Sequence, residues 1–160
     1  MLFRAVKFIV FGTFGVLLFS CSSLMHRLLN ATQLKPPFRA SRKAWQIHKE
    51  LFVADLHADT LLWNRNILKK SSHGHVNFPR LKEGNVGLQL FSAVTHLPLN
   101  FSLTGNSEKP DSITVLAWSQ KWPLSARNSY LERALFQARK LQDMADAAEG
   151  ALMVIRTRHD

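Results

Sequence analysis

Cysteine is nearly missing from this 160-residue chain: Cys21 stands alone, which excludes any intramolecular disulfide. Acidic residues are scarce, 11 against 21 lysines and arginines, for a formal charge of +10. No internal repeat or low-complexity tract occurs, so the chain is no solenoid or array. Long apolar runs are missing too. The longest uncharged one, Phe8 to Phe19, is short of the ~20 residues a membrane-spanning helix needs. What remains is enough chain for one modest domain.

The basic excess invites a nucleic-acid partner, but its distribution argues against one. Residues 1–50 hold eight Lys and Arg against Glu50 alone, whereas the remainder holds 13 against 10. A nucleic-acid face interleaves aromatic and basic residues through the folded part, and no such stripe is present. Basic residues beside a membrane anchor are instead drawn to anionic headgroups, by about 1 kcal/mol each near the surface. Arg4 and Lys7 ahead of the Phe8–Phe19 run form an export signal. The signal ends in Leu18-Phe19-Ser20-Cys21, which resembles the lipobox of bacterial lipoproteins. We therefore expect residues 1–21 to be a leader, with lipid on Cys21 after cleavage. An uncleaved anchor, extended by Leu24, Met25, Leu28 and Leu29, and simple secretion are the alternatives. All three put the body outside the cytoplasm. Residues 22–44, with Pro36-Pro37, suit a basic tether that spaces the body from the membrane.

The body, residues 45–160, alternates helical and strand-like patterns. Ser41 caps a helix carrying Ala44, Ile47, His48 and Leu51 on one side. The run Leu51–Leu56 predicts a fully buried strand, because its apolar residues do not alternate. A short helix from Phe78 stops at Gly84, and Val86–Val94 predicts a second strand, so the pair reads as a βαβ unit of a parallel sheet. His96–Asp111 is a surface excursion, and Ile113–Trp122 a helix. The longest helix, from about Ser129 to Glu149, opens on a Ser129/Glu132 capping box. Its predicted core face is Leu131, Ala134, Leu135, Ala138, Leu141, Met144, Ala145 and Ala148. Ala151–Ile155 starts a further apolar element.

Chemistry concentrates in Asp55-Leu56-His57-Ala58-Asp59-Thr60. Residues i and i+2 of a strand face the same way, so His57 and Asp59 converge as an imidazole–carboxylate pair suited to zinc. Asp55 can orient His57 from behind or serve a turn. His73-Gly74-His75 is a second histidine pair, but its glycine fixes no geometry. His26, His48, His96 and His159 are isolated. Trp45, Trp63, Trp118 and Trp122 are expected in the core or its rim, with pocket lining a second role for Trp63.

Two blocks, Val53–Leu61 and His75–Ser92, resemble the membrane (renal) dipeptidase family, and the likeness runs from about Trp45 to the end. The resemblance implies an α/β fold, the N-terminal part of a (β/α)8 TIM-barrel metallohydrolase, preceded here by the membrane-targeting segment. It places His57 and Asp59 on the first two metal ligands of a two-zinc centre. The family's bridging glutamate and later histidines fall on no position of residues 1–160, so the chain is expected to be the front of a larger protein and inactive by itself. Asn77 stands where many members have aspartate. In the implied mechanism a hydroxide held between two zinc ions attacks the peptide bond of a dipeptide. Dipeptides and a membrane are the implied partners, nucleic acid is not, and a homo-oligomer is compatible. Two other readings stay open: a lipid-anchored, non-catalytic binding or scaffold protein built on the same barrel start, and another metal-dependent amidohydrolase.

Overall fold

The computed structural model describes residues 24–32, 34, 36–99, 101, 102, 104, 105 and 110–160. The leader and Cys21 lie outside the described residues. Residues 24–29 are helical. Helix α1 (Arg42–Glu50) begins where Ser41 Oγ accepts the Ala44 N–H at 3.1 Å. Strand β1 (Val53–Ala58) is followed by a 3-10 turn, Thr60–Leu62, and then by helix α2 (Phe78–Glu83). Asn77 caps α2 by accepting the Arg80 N–H, and Pro79 sits in the first turn, where no donor is missed. Strand β2 (Val86–Phe91) pairs parallel to β1, with Val53 opposite Val86, Asp55 opposite Gln89 and Ala58 opposite Phe91. The predicted parallel strand–helix–strand unit is therefore present, in a mixed helix/strand fold.

The segment after β2 closes on itself through an antiparallel bridge between Pro98 and Asp111. Asp111 then caps helix α3 (Ser112–Ser119), helix α4 (Leu124–Asn128) follows, and Ser129 Oγ caps helix α5 (Tyr130–Asp146) by accepting the Glu132 N–H. Two small apolar cores result. One joins Leu61, Ile67 and Met144, with Leu68, Phe91 and Leu141 at its edge. The other joins Ala117, Trp122 and Ala126 under Leu62 and Phe136, the Trp122 and Phe136 rings lying 5.0 Å apart.

Four expectations need correction. The strand predicted at Leu51–Leu56 runs two residues later and is not buried: Leu56 is 68% exposed and Leu90, on β2, 57%. Among the described residues the sheet has two strands, so neither strand is flanked on both edges. Ala151–Ile155 forms no helix or strand, and Met153 and Ile155 remain exposed. Trp63 and Trp122 are buried as expected, but Trp45 and Trp118 are not. The Arg127 guanidinium covers the Trp118 ring, 4.1 Å from its centre.

The fourth correction concerns α5. Its buried residues are Arg133, Gln137, Met144 and Ala145, while Leu131 and Leu135 face outward. The inward stripe is polar over its first half because the neighbouring backbone needs partners. Arg133 donates to the carbonyls of Thr95 (2.6 Å), Ala126 (3.1 Å) and Arg127 (2.6 Å), to the Thr114 hydroxyl (2.7 Å) and to the Asp111 carboxylate (2.5 Å). Gln137 gives its amide N–H to the Val94 carbonyl (3.0 Å) and accepts the Val94 N–H (3.3 Å), as a neighbouring strand would.

Burial alone would raise the Asp111 carboxyl, but hydrogen bonds from Arg133, Leu97, Ile113 and Thr114 outweigh it and hold the pKa at about 2, below its ordinary 3.8. A depressed carboxyl stabilises the fold above its unfolded pKa and loses that contribution as pH falls from about 4 to about 2, here roughly 2 kcal/mol. Urea unfolding at pH 7, 4 and 2.5 should show this acid loss in the native chain and its disappearance in Asp111→Asn. Arg133→Met, which strands a buried carboxylate and three carbonyls, should cost about 3–5 kcal/mol at pH 7.

Candidate metal centre

At the carboxyl end of β1 the strand alternation does what the sequence predicts. His57 Nε2 lies 3.2 Å from Asp59 Oδ1, both side chains reaching solvent, 71% and 45% exposed. The Ser92 hydroxyl, just past β2, donates to the same Asp59 oxygen. Ser92 is tied to β1 by its N–H to the Ala58 carbonyl (3.1 Å), so both strands fix the carboxylate. Nothing in the local sequence marks Ser92, and only the parallel register brings the residue after Phe91 beside the residue after Ala58.

Asp55 does not orient the imidazole. Its carboxylate accepts the backbone N–H of His57 at 3.2 Å, the turn role of an aspartate that bonds two residues on. The His73-Gly74-His75 pair is not assembled as a metal site either. His73 Nδ1 meets the Ser72 hydroxyl (2.7 Å), and its ring packs edge-on against His26. His26 also sits edge-on to Trp63, 5.2 Å between ring centres. His48 Nε2 donates to the Gly84 carbonyl at 2.9 Å, docking α1 on the turn before β2. Asn77 is buried as a helix cap, a task an aspartate performs equally well. Among the described residues no group of three or more His, Cys, Asp or Glu side chains gathers in position to hold a metal.

A family model for membrane dipeptidase (peptidase family M19) matches residues 41–160, three-quarters of the chain and both strands with the His57/Asp59 pair. The chain belongs to the membrane dipeptidase family. Its class of chemistry, at the level of that family, is dipeptidase-type hydrolysis. No curated protein and no solved structure matches the chain. No helix among the described residues is long and apolar enough to cross a membrane.

The 3-10 turn that follows the His57/Asp59 pair is held by Lys140 of α5, whose ammonium donates to the carbonyls of Leu61 (3.3 Å) and Trp63. Burial, and then the positive charge of Arg65, lower the Lys140 pKa from 10.5 to about 8. With the folded pKa below the unfolded one, the burial cost is full below pH 8 and vanishes above about 10.5. Stability should therefore rise across that window by up to about 3 kcal/mol. Denaturant midpoints at pH 7.5 and pH 10 check this: the native chain should gain relative to Lys140→Met, and parallel pH dependences in the two would contradict the assignment.

Proposed function

We propose that His57 and Asp59 are the first two ligands of a zinc centre in a (β/α)8 dipeptidase, held at a membrane by lipid on Cys21. The supporting observation is the convergence of one imidazole nitrogen and one carboxylate oxygen at a parallel strand end, in a chain of the membrane dipeptidase family. The donor set fits the metal. An imidazole nitrogen and a carboxylate oxygen are donors that zinc takes, and here they lie 3.2 Å apart as an ion pair that one metal would draw on from both sides.

Zinc, when bound, lowers the pKa of water and polarises the scissile carbonyl of a dipeptide. The chain's own residues do the positioning. His57 lends Nε2, Asp59 lends its carboxylate, and the Ser92 hydroxyl holds that carboxylate from the side. Outer partners of this kind typically change metal affinity by roughly 10–100-fold.

Calorimetric titration of the metal-free 160-residue chain with zinc tests the assignment. One weak site is expected, far below the ~10–16 kcal/mol of a complete four-ligand centre, without robust turnover of dipeptides. His57→Ala and Asp59→Ala should abolish the site, and Ser92→Ala should weaken it by about tenfold. Zinc uptake unchanged in His57→Ala would overturn the ligand assignment. Robust zinc-dependent cleavage by this chain, lost in His57→Ala, would overturn the two-ligand reading.

A further inference from the structure

The His73-Gly74-His75 loop, which the metal centre does not use, is the meeting point of two arginines. Gly74 has φ +75°, and a Cβ there would overlap the Arg65 guanidinium. Arg65 lies over this bare peptide and donates Nη1 to the His73 carbonyl at 3.0 Å. Arg80, from α2, donates its own Nη1 to the Gly74 carbonyl at 2.9 Å. The Gly74 N–H is spent on the Asn30 carbonyl at 2.6 Å, which brings residues 24–30 against the loop, with His26 wedged between Trp63 and His73.

No carboxylate among the described residues forms an ion pair with Arg65, Arg80 or Lys140; the nearby Glu83 is taken by Lys70 at 2.6 Å. The Arg65 Nε is buried and has no acceptor. Burial and the charge of Arg80 lower the Arg65 pKa, and burial, Arg65 and His73 lower that of His26. Two forked guanidinium groups held side by side without an anion carry an uncompensated electrostatic cost. Their planar donor arrays match the oxygens of a phosphate or phosphodiester.

We propose that Arg65 and Arg80, laid over the Gly74 peptide, bind an oxyanion of phosphate chemistry, with His26 at the rim. A phospholipid headgroup and free phosphate share that chemistry. The surroundings favour the headgroup: residues 24–29 turn Met25 and His26 toward the body and leave Leu24, Leu28 and Leu29 57–70% exposed beside the site. The lipid source rests on the membrane association proposed above; the anion site itself does not.

Two measurements on the full 160-residue chain separate these. The first is the melting temperature in sodium phosphate against sodium chloride at equal ionic strength. The second is co-sedimentation with vesicles of phosphatidylglycerol in phosphatidylcholine against phosphatidylcholine alone. Arg65→Gln/Arg80→Gln is compared with Lys43→Gln/Lys49→Gln, which removes the same charge from α1. The arginine pair should lose roughly 30-fold in vesicle affinity and all phosphate-specific stabilisation, and the lysine pair much less of either. If the glutamine variant does not fold, Arg65→Lys/Arg80→Lys keeps the charge, removes the fork and should still lose most of the effect. Phosphate stabilisation without vesicle binding would keep the site and remove the membrane. Equal losses in the arginine and lysine pairs, or no specific effect of either phosphate source on the native chain, would overturn the proposal.

Discussion

The arrangement depends on one polar stripe. Arg133, Gln137 and Lys140 succeed one another at helical spacing along the inner face of α5, and each spends its donors on main-chain carbonyls that no ladder reaches. Backbone groups buried without partners are too costly to persist, so a chain that leaves a sheet needs another supplier of hydrogen bonds. Here the supplier is a single helix. Gln137 takes the chain two residues beyond Ser92, Arg133 takes the next residue and the excursion that returns at Asp111, and Lys140 takes the turn just beyond Asp59. The two segments that carry the candidate ligand and its hydrogen-bonding neighbour are thereby referenced to the same rigid rod.

Apolar burial alone would not hold this geometry. The two cores are each built on three buried residues, and a buried aliphatic side chain contributes about 1.5–3 kcal/mol. Arg133 does something different. It ties Asp111, α3, α4 and the post-β2 segment to α5 through five acceptors, and a guanidinium satisfies that many only when its plane and its partners are fixed together. Specificity of position thus comes from the polar contacts, and the leucines of the opposite face are left to solvent. The exposed Leu56 and Leu90 fit the same picture. The strands are placed by their mutual register and by the segments at their carboxyl ends, where Ala58 is buried and Phe91 meets the first core, while the described residues leave Leu56 and Leu90 uncovered.

The features legible in the sequence obey short-range rules. Ser41 and Ser129 cap the helices they precede, Gly84 ends α2, and the strand–helix–strand pattern gives a parallel pair. The His57/Asp59 convergence comes from alternation in one strand. On α5 the second half of the inner face, Leu141, Met144 and Ala145, was legible; the first half was not, because hydrophobic periodicity assigns leucine inward and arginine outward. That preference reverses only where unpaired carbonyls wait, and those of Leu61, Trp63, Val94 and Thr95 belong to segments about forty to eighty residues earlier in the chain. The partnership of Ser92 with Asp59 is hidden for the same reason, since it needs the sheet register before it can be seen.

The two histidine motifs make the distinction sharpest. His57-Ala58-Asp59 and His73-Gly74-His75 share a spacing, and spacing alone would give both the same standing as metal pairs. The rule that residues two apart face one way belongs to extended backbone, and His57 and Ala58 lie in β1. Gly74, at φ +75°, takes the loop out of that conformation, and His73 turns to Ser72 and His26 instead of to a metal partner. The glycine that removes the pair also removes the side chain that would have kept Arg65 away. One backbone angle thus withdraws a metal site from this loop and opens the surface on which two guanidinium groups settle.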